Sequence, residues 1–385
     1  MKLLIISHTP HYQLPNSIVG WGPTVREVDQ LATLFKTVMH LAPLHNTPPP
    51  GSALPYTAEN VRLRNVKPAG GNSFKDKLNI LVRLPGWLAA MREAMQQADA
   101  IHIRCPAGIS LLALLAAWIW SKGKPIWVKY AGNWHSYPGQ ALSYKFQRWF
   151  LKSHLHPWAV TINGKWEEQP DHIISFNNPS FSEAEYKTAS EFAKMKQLSF
   201  PLKFLFVGNL TNAKGVHHVL DIVKILRQRR VNFELTLVGD SIERVAFENY
   251  VSENALERIV HFAGWQPKHE LGNFYRSAHF ILLPSTSEGW PKVLSEAMAY
   301  GVVPLASTVS SIPQILQATG AGLAIPAEDT AAYIDAILGY TQDRTAWQQA
   351  SRNGVDAAQQ FTYEAYLEDV RLLFKEHWQI ELNHG

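Results

Sequence analysis

The chain has 385 residues, of which 46% are hydrophobic and 18% charged, a core-forming composition that excludes a disordered protein. One hydrophobic core rarely grows beyond roughly 250–300 residues, so two domains are expected. The single cysteine, Cys105, excludes an intrachain disulfide, a cysteine-based zinc site and an iron–sulfur cluster, and it fits a reducing cytoplasm.

In chain order, residues 3–7 form a short apolar run that meets His, Pro and Tyr and reads as a first buried strand, not a secretory signal. A loop with Gly20, Gly22 and Pro23 leads to a helical pattern opening at Thr24, and 38–41 is a second strand. The three prolines in 47–52 mark a surface loop. Residues 78–97 are an amphipathic helix bent near Pro85, 100–103 a strand, 108–120 a buried helix too short to span a membrane, and 125–130 a strand. A helix over 144–151 and a strand over 159–162 follow, and 174–181 reads as a linker. Strands at 202–207, 233–238, 259–262, 280–283, 303–306 and 323–325 then alternate with helices at 216–229, 245–254, 268–276, 291–300, 312–317 and 330–338. The tail has helices near 346–360 and 363–375. Two successive α/β sandwiches are predicted, whose ligands would bind at the C-terminal ends of the strands, in a cleft between the domains.

Charge divides with the domains. Residues 1–172 hold 18 Lys+Arg and 9 Asp+Glu, a formal +9, and nine of the 13 tryptophans. Residues 173–385 hold 18 and 23, a formal −5. No zinc-finger, basic-zipper or stacked-aromatic strand motif accompanies the basic half, so nucleic acid is not expected as a partner. Two readings of that half stay open. The segments 75–92 (Lys77, Arg83, Trp87, Arg92) and 144–154 (Lys145, Arg148, Trp149, Phe150, Lys152) present a peripheral face to an anionic membrane, or the aromatics pack on the sheet beneath solvated cations.

Three segments carry chemistry. In 285–301, Glu288 lies in the loop after a strand, Trp290 and Pro291 open a helix, and Glu296 sits within it. Carboxylates accept sugar hydroxyls, and the first-turn N–H groups of a helix favour an anion, although a solvated Glu288 and a surface Glu296 are the plainer alternative. In 204–216 a strand ends at Gly208, and the loop presents Asn209, Lys214 and Gly215, with Lys214 suited to a diphosphate. The spacing is neither a P-loop nor a GxGxxG dinucleotide fingerprint. The first loop places His8, His11, Gly20 and Gly22 at the active end of a parallel strand, on the acceptor side of a cleft. The histidines there serve either structure or catalysis, and with no nearby carboxylate they do not suggest a metal site.

These motifs resemble those of the retaining glycosyltransferases of family 4, which have the GT-B fold: two Rossmann-like α/β/α domains facing an interdomain cleft, with a C-terminal helix crossing back. The stretch from Ser287 to Gly301 is similar to the family's E-x7-E region, and the Gly208–Asn209–Leu210 to Lys214–Gly215 loop to its GRL…KG loop. Phe262 to Trp265 and Gly322 to Pro326 match later landmarks. The resemblance is specific in 204–326 and weak in 1–170. It implies an acceptor domain over 1–172, a nucleotide-sugar domain over 173–360, and a crossover helix and tail over 361–385 that pack on the first domain. It also implies that Glu288 binds the donor hexose, Glu296 the ribose, and Lys214 the diphosphate. Gly289, Trp290 and Pro291 would bring backbone N–H groups to the sugar and phosphates, and Trp265 would border the base. No metal or other cofactor is expected.

Two positions depart from the family pattern. Asn209 stands where Arg is common, and Ala131 stands where a catalytic-region His is common, with Asn133, His135 or Lys129 as substitutes. The expected activity is transfer of a hexose from a UDP or GDP sugar, ahead of ADP, to a polysaccharide-precursor, lipid-linked or small-molecule acceptor in the cytoplasm, either free or peripherally at the inner face of the membrane. A sucrose-synthase-like or phosphorylase-like enzyme of the same fold and a non-catalytic sugar-nucleotide binder remain as alternatives. The oligomeric state is left open.

Overall fold

The computed structural model describes residues 1–69, 74–136, 139–167 and 169–382, the side chains of 74–81 excepted. The chain forms two compact units, Met1–Phe176 with Leu367–Gly385, and Asn177–Tyr366.

Unit 1 runs β1 (Lys2–Ile6), β2 (His11–Gln13), β3 (Ile18–Trp21), α1 (Gly22–Ala32), β4 (Thr37–His45), β5 (Ala53–Pro55), β6 (Val61–Val66), α2 (Phe74–Gln97), β7 (Ala100–Cys105), α3 (Gly108–Trp120), β8 (Ile126–Tyr130), α4 (Leu142–Lys152), β9 (Ala159–Ile162) and β10 (Ile173–Ser175). The strands pair in the order β10-β9-β8-β7-β1-β4, all parallel, with β6 also on β4. The small β2-β3-β5 ribbon continues from β4 with antiparallel β2–β3 and β3–β5 pairs. The central strands are buried on both faces, as parallel strands covered by helices are: β1 is apolar from Leu3 to Ile6, and β8 is apolar but for Lys129. One side of the sheet packs on α2, α3 and α4 through a core containing Leu4, Ile6, Met91, Met95, Ile103, Ala113 and Leu114. The helix predicted around Pro85 runs on through that residue.

Unit 2 runs α5 (Glu183–Lys194), β11 (Leu202–Val207), a single 3-10 turn (Asn212–Lys214), α6 (Val216–Gln228), β12 (Phe233–Val238), α7 (Arg244–Glu253), β13 (Val260–Gly264), α8 (Lys268–Ser277), β14 (Phe280–Leu283), α9 (Lys292–Ala299), β15 (Val303–Ser307), α10 (Ile312–Thr319), β16 (Leu323–Ile325), α11 (Thr330–Gln342), α12 (Arg344–Ala358) and α13 (Tyr363–Trp378), the last of which ends in unit 1. Its six strands are all parallel in the order β13-β12-β11-β14-β15-β16. Strand order reverses between β11 and β14, the switch point at which open α/β sheets bind ligands.

The boundaries differ from those expected. β10 pairs with β9 through Ile173–Val160, so the chain leaves unit 1 only after Phe176 and not at residue 172. Residues 361–366 stay with unit 2, because Thr362 bridges Phe181 and Tyr363 N donates to Phe181 O at 2.8 Å. The return to unit 1 therefore begins at Leu367, where Phe374 meets Phe35 with ring centroids 5.7 Å apart. Among the described residues no helix is long and apolar enough to cross a membrane.

Candidate active site

The loops leaving β11 and β14 meet at the switch point of unit 2. Thr211 caps the 3-10 turn by accepting from Lys214 N, and Gly215 follows with φ +79°. A Cβ on Gly215 would lie 2.0 Å from the Pro284 carbonyl oxygen, so only glycine lets the turn approach the end of β14 this closely. The two loops are tied by Thr286 N donating to Ala213 O at 3.0 Å and Ser285 Oγ donating to Lys214 O at 3.4 Å. This lacing brings Lys214 Nζ to 2.6 Å from Glu288 Oε1. The Glu288 side chain is 9% exposed and that of Lys214 33%, so the cation keeps access to solvent while the carboxylate is largely enclosed.

α9 opens after Pro291, which stands at the N-cap and not in the first turn, and no side-chain hydrogen bond caps this helix start. The Trp290 side chain turns into the core, where it stacks on Phe361 at 5.1 Å and donates Nε1–H to Ser295 Oγ at 2.7 Å. Only its backbone remains available towards a ligand. Gly289 O accepts from Ser311 Oγ at 3.2 Å, which fixes the loop from the far side.

Glu296 faces a cavity of about 390 Å³ whose walls include Glu185, Lys268, Gly272, Tyr275 and Tyr300. Tyr275 donates its hydroxyl to Glu296 Oε2 at 2.9 Å, and burial together with the neighbouring carboxylate holds that phenol well above its ordinary range. The described walls of this cavity include neither Glu288 nor Lys214, so the two carboxylates have separate surroundings within unit 2. Gly208 closes β11 through N–H to Val238 O at 3.0 Å, Asn209 is exposed just beyond it, and Trp265 is exposed in the loop after β13.

The first-loop residues of unit 1 divide differently. His8 is exposed after β1. His11, expected on the acceptor side, is instead fully buried: Nδ1 meets Thr9 O at 3.0 Å, and Tyr56 OH bridges His11 Nε2 at 2.8 Å and His40 Nδ1 at 2.6 Å. His40 Nε2 continues the chain to Ser7 Oγ at 2.7 Å. Burial keeps His11 neutral, lowering its pKa to about 4, and the ring serves the fold. Gly20 belongs to the same packing, since a Cβ there would lie 2.7 Å from the His11 ring, and Gly22 donates its N–H to Ser52 O at 3.0 Å.

Of the three substitutes for a catalytic histidine, Lys129 is withdrawn into a buried ion pair with Glu27 at 2.6 Å, beside Arg104 at 2.6 Å from the same oxygen. Asn133 Oδ1 accepts from His135 N at 3.0 Å, and the exposed His135 ring lies 4.2 Å from that of Trp166. Partial burial, with Lys152 and Arg148 nearby, pulls His135 below its ordinary pKa.

The sequence reading missed the Glu27–Arg104–Lys129 cluster, in which Glu27 on α1 lies 77 and 102 residues from Arg104 on β7 and Lys129 on β8, and only the fold brings them together. It also missed Tyr275, although a polar aromatic within a helical apolar stripe asks for a partner, and Arg244, which pairs with Asp240 at 3.4 Å and Glu248 at 2.7 Å beside the β12 loop.

Residues 190–357 match the family described as "Glycosyl transferases group 1". The amylovoran biosynthesis glycosyltransferase AmsK of Erwinia amylovora is 30% identical over 148 residues, 37% of this chain and 36% of AmsK, so the matched part spans little more than a third of that relative. Sucrose-phosphate synthase of Thermosynechococcus elongatus superposes over 98% of this chain and 99% of its own, with TM-score 0.71 at 18% identity. HepE of Anabaena, solved in complex with UDP and glucose, superposes over 97% and 99% with TM-score 0.67 at 14% identity. The fold is GT-B. Within this GT-B chain the sequence match lies in unit 2 and contains Lys214, Glu288 and Glu296. Unit 2 thus carries the match to group 1 glycosyl transferases, and the chain is related over part of its length to a glycosyltransferase of bacterial polysaccharide biosynthesis.

Proposed function

We propose that the protein is a retaining glycosyltransferase of family 4 that moves a hexose from a nucleoside diphosphate sugar, UDP or GDP before ADP, to a polysaccharide-precursor or lipid-linked saccharide acceptor. The observation that carries this reading is the Lys214–Glu288 pair, 2.6 Å apart at the switch point of unit 2. In the free protein the two charges satisfy each other. A nucleotide sugar brings a partner for each: its diphosphate takes the exposed ammonium, and its sugar hydroxyls take the carboxylate.

The first-turn N–H groups of α9 add positive potential for the phosphates, and Glu296 accepts the ribose hydroxyls. In the transfer the bond from the anomeric carbon to the diphosphate oxygen breaks, and the diphosphate keeps the electron pair. The acceptor oxygen bonds to the same face of that carbon, and its proton passes to the departing diphosphate. Lys214 and the helix start stabilise the charge that develops there, and no metal is required in this scheme. In unit 1, Asn133 and His135 are the residues we assign in place of the catalytic-region histidine, and His8 is the exposed first-loop residue left for the acceptor side.

The name of AmsK supports a polysaccharide-precursor acceptor, and the HepE complex supports UDP as one donor nucleotide to try first. The lone cysteine suits a cytoplasmic site, which we place at the inner face of the membrane. The test is calorimetry of the purified chain with UDP, GDP and ADP, followed by release of nucleoside diphosphate from the matching sugar donors, with and without excess EDTA. One nucleotide should bind and its sugar donor should turn over unchanged in EDTA. No binding and no turnover across the panel would remove the reading. Loss of turnover on chelation, restored by magnesium or manganese, would remove its metal-independent part.

A further inference from the structure

The outer faces of α3 and α4 are apolar where a solvated helix is polar. On α3, Leu115, Trp118 and Ile119 are exposed, Ile119 by 59%. On α4 the exposed residues are Leu142 (81%), Phe146 and Trp149 (57%), spaced at i, i+4 and i+7 on one stripe. The two helices are neighbours in the same layer, and Trp118 donates its indole N–H to Leu155 O, 3.1 Å away, in the turn that follows α4. Leu155 is itself exposed. Single exposed apolar side chains need no explanation, but a group of this size on adjoining helices does.

The chain segment that builds this face carries charge of one sign. From Ala100 to Trp166 the chain holds eight Lys+Arg and no Asp or Glu across 67 residues. Four of the cations are used by the fold: Arg104 and Lys129 pair with Glu27, Lys124 Nζ donates to Met95 O and Ala98 O, and the buried Arg148 donates to Ser136 Oγ and Gln140 Oε1. Lys122, Lys145 and Lys152 are exposed. Lys145 and Lys152, seven residues apart, run along one border of the α4 stripe, and Lys152 Nζ lies 5.5 Å from the Trp134 ring.

We infer that the α3–α4 face is the surface by which the protein lies on an anionic lipid bilayer, with the aromatic and aliphatic side chains in the headgroup region and the lysines on the acidic lipids. A stripe of Trp, Phe and Leu bordered by lysine is the pattern of an interfacial helix. The 67-residue span without a carboxylate supplies the charge complementarity that singles out an anionic partner. The face keeps Lys145, Trp149 and Lys152 of the segments the sequence suggested and departs from them elsewhere. Trp87 is buried and donates to Lys67 O at 2.9 Å, Phe150 and Arg148 are buried, and the side chains of Lys75 and Lys77 lie outside the described residues. The inference is independent of the transferase chemistry, because the test reads binding and not turnover.

The test is co-sedimentation of the full chain with vesicles of phosphatidylcholine alone and of phosphatidylcholine with about 30% phosphatidylglycerol, at low salt and at about 0.5 M salt. The protein should pellet with the anionic vesicles at low salt and be partly released at high salt. Lys145→Glu with Lys152→Glu should lower the low-salt partition coefficient by about tenfold or more. Phe146→Ser with Trp149→Ser should lower it at both salt levels. Leu142→Ser, at the most exposed position, should act in the same direction if the aromatic pair fails to fold as judged by circular dichroism. Failure to pellet with anionic vesicles at low salt would overturn the inference, as would folded variants that bind like the wild type. A stable dimer that Phe146→Ser with Trp149→Ser dissociates would assign the face to a second copy instead.

Discussion

Glu288 and Glu296 lie eight residues apart in the chain, yet one faces a cation and the other a phenol, and their substitutions should separate accordingly. Glu288→Ala leaves Lys214 partly exposed and able to rehydrate, so the fold should survive. We expect kcat to fall about 30- to 1000-fold, the usual cost of losing a group that acts on the reacting sugar, with little change in Kd for the nucleoside diphosphate. Steady-state rates beside calorimetry check this, and wild-type kcat in the mutant would take Glu288 out of the sugar site. Glu296→Gln should instead weaken the nucleoside diphosphate by about 1.5–3 kcal/mol, because an amide offers the ribose one acceptor and a misplaced donor. Tyr275→Phe removes only the hydroxyl that orients Glu296 and should cost less, about 0.5–1.5 kcal/mol. Equal Kd values in wild type and Glu296→Gln would show that the ribose lies elsewhere.

At the scale of elements, Gly215 is the point where the β11 loop and the end of β14 touch. Gly215→Ala must move the Pro284 carbonyl and also force a positive φ on a residue with a Cβ. A loss of stability of about 2 kcal/mol or more is expected, together with weaker donor binding as Lys214 shifts, measured by thermal unfolding and donor KM. A variant with unchanged Tm would show that the loop pair yields easily. The same scale explains what was legible beforehand. The buried parallel strands β1, β8, β11, β12, β14 and β15 are short, mostly apolar segments between turn residues, interrupted by Lys129 in β8, Lys203 in β11 and Glu234 in β12, and they stand where the pattern put them. The ribbon of β2, β3 and β5 is not readable, because strands of three or four residues carry too few alternations. α5 was readable but passed over: Ser182 and Glu185 form a capping box three residues apart, a start signal that precedes the helix. The Lys214–Glu288 loops were legible because both lie directly after buried strands. The quieting of His11 was not, because it depends on Tyr56 and His40 arriving from other elements.

At the scale of the whole molecule, the buried histidines set an acid limit. Burial lowers His11, His156 and His279 to about 4, and pushes His40 and His102 well below their ordinary value. Below about pH 6.5 an unfolded chain takes up protons that these folded sites refuse, His11, His156 and His279 until about pH 4, so stability is full above that window and falls as pH drops through it. Four of the five lie in unit 1, which also holds nine of the 13 tryptophans. Tryptophan-detected melts at about pH 7 and pH 5 should show a lower Tm in acid, with the loss led by unit 1. Equal Tm values would mean that these rings are protonated in the folded state.

The central claim is that the protein transfers a hexose from a nucleotide sugar held by unit 2 with its configuration kept. The most direct measurement is proton NMR of the anomeric signal of the first product formed from an α-linked donor, either the transferred sugar or the sugar released to water, recorded before mutarotation. The account predicts an α product that accumulates with the nucleoside diphosphate and is lost in Glu288→Ala. A β product would contradict it.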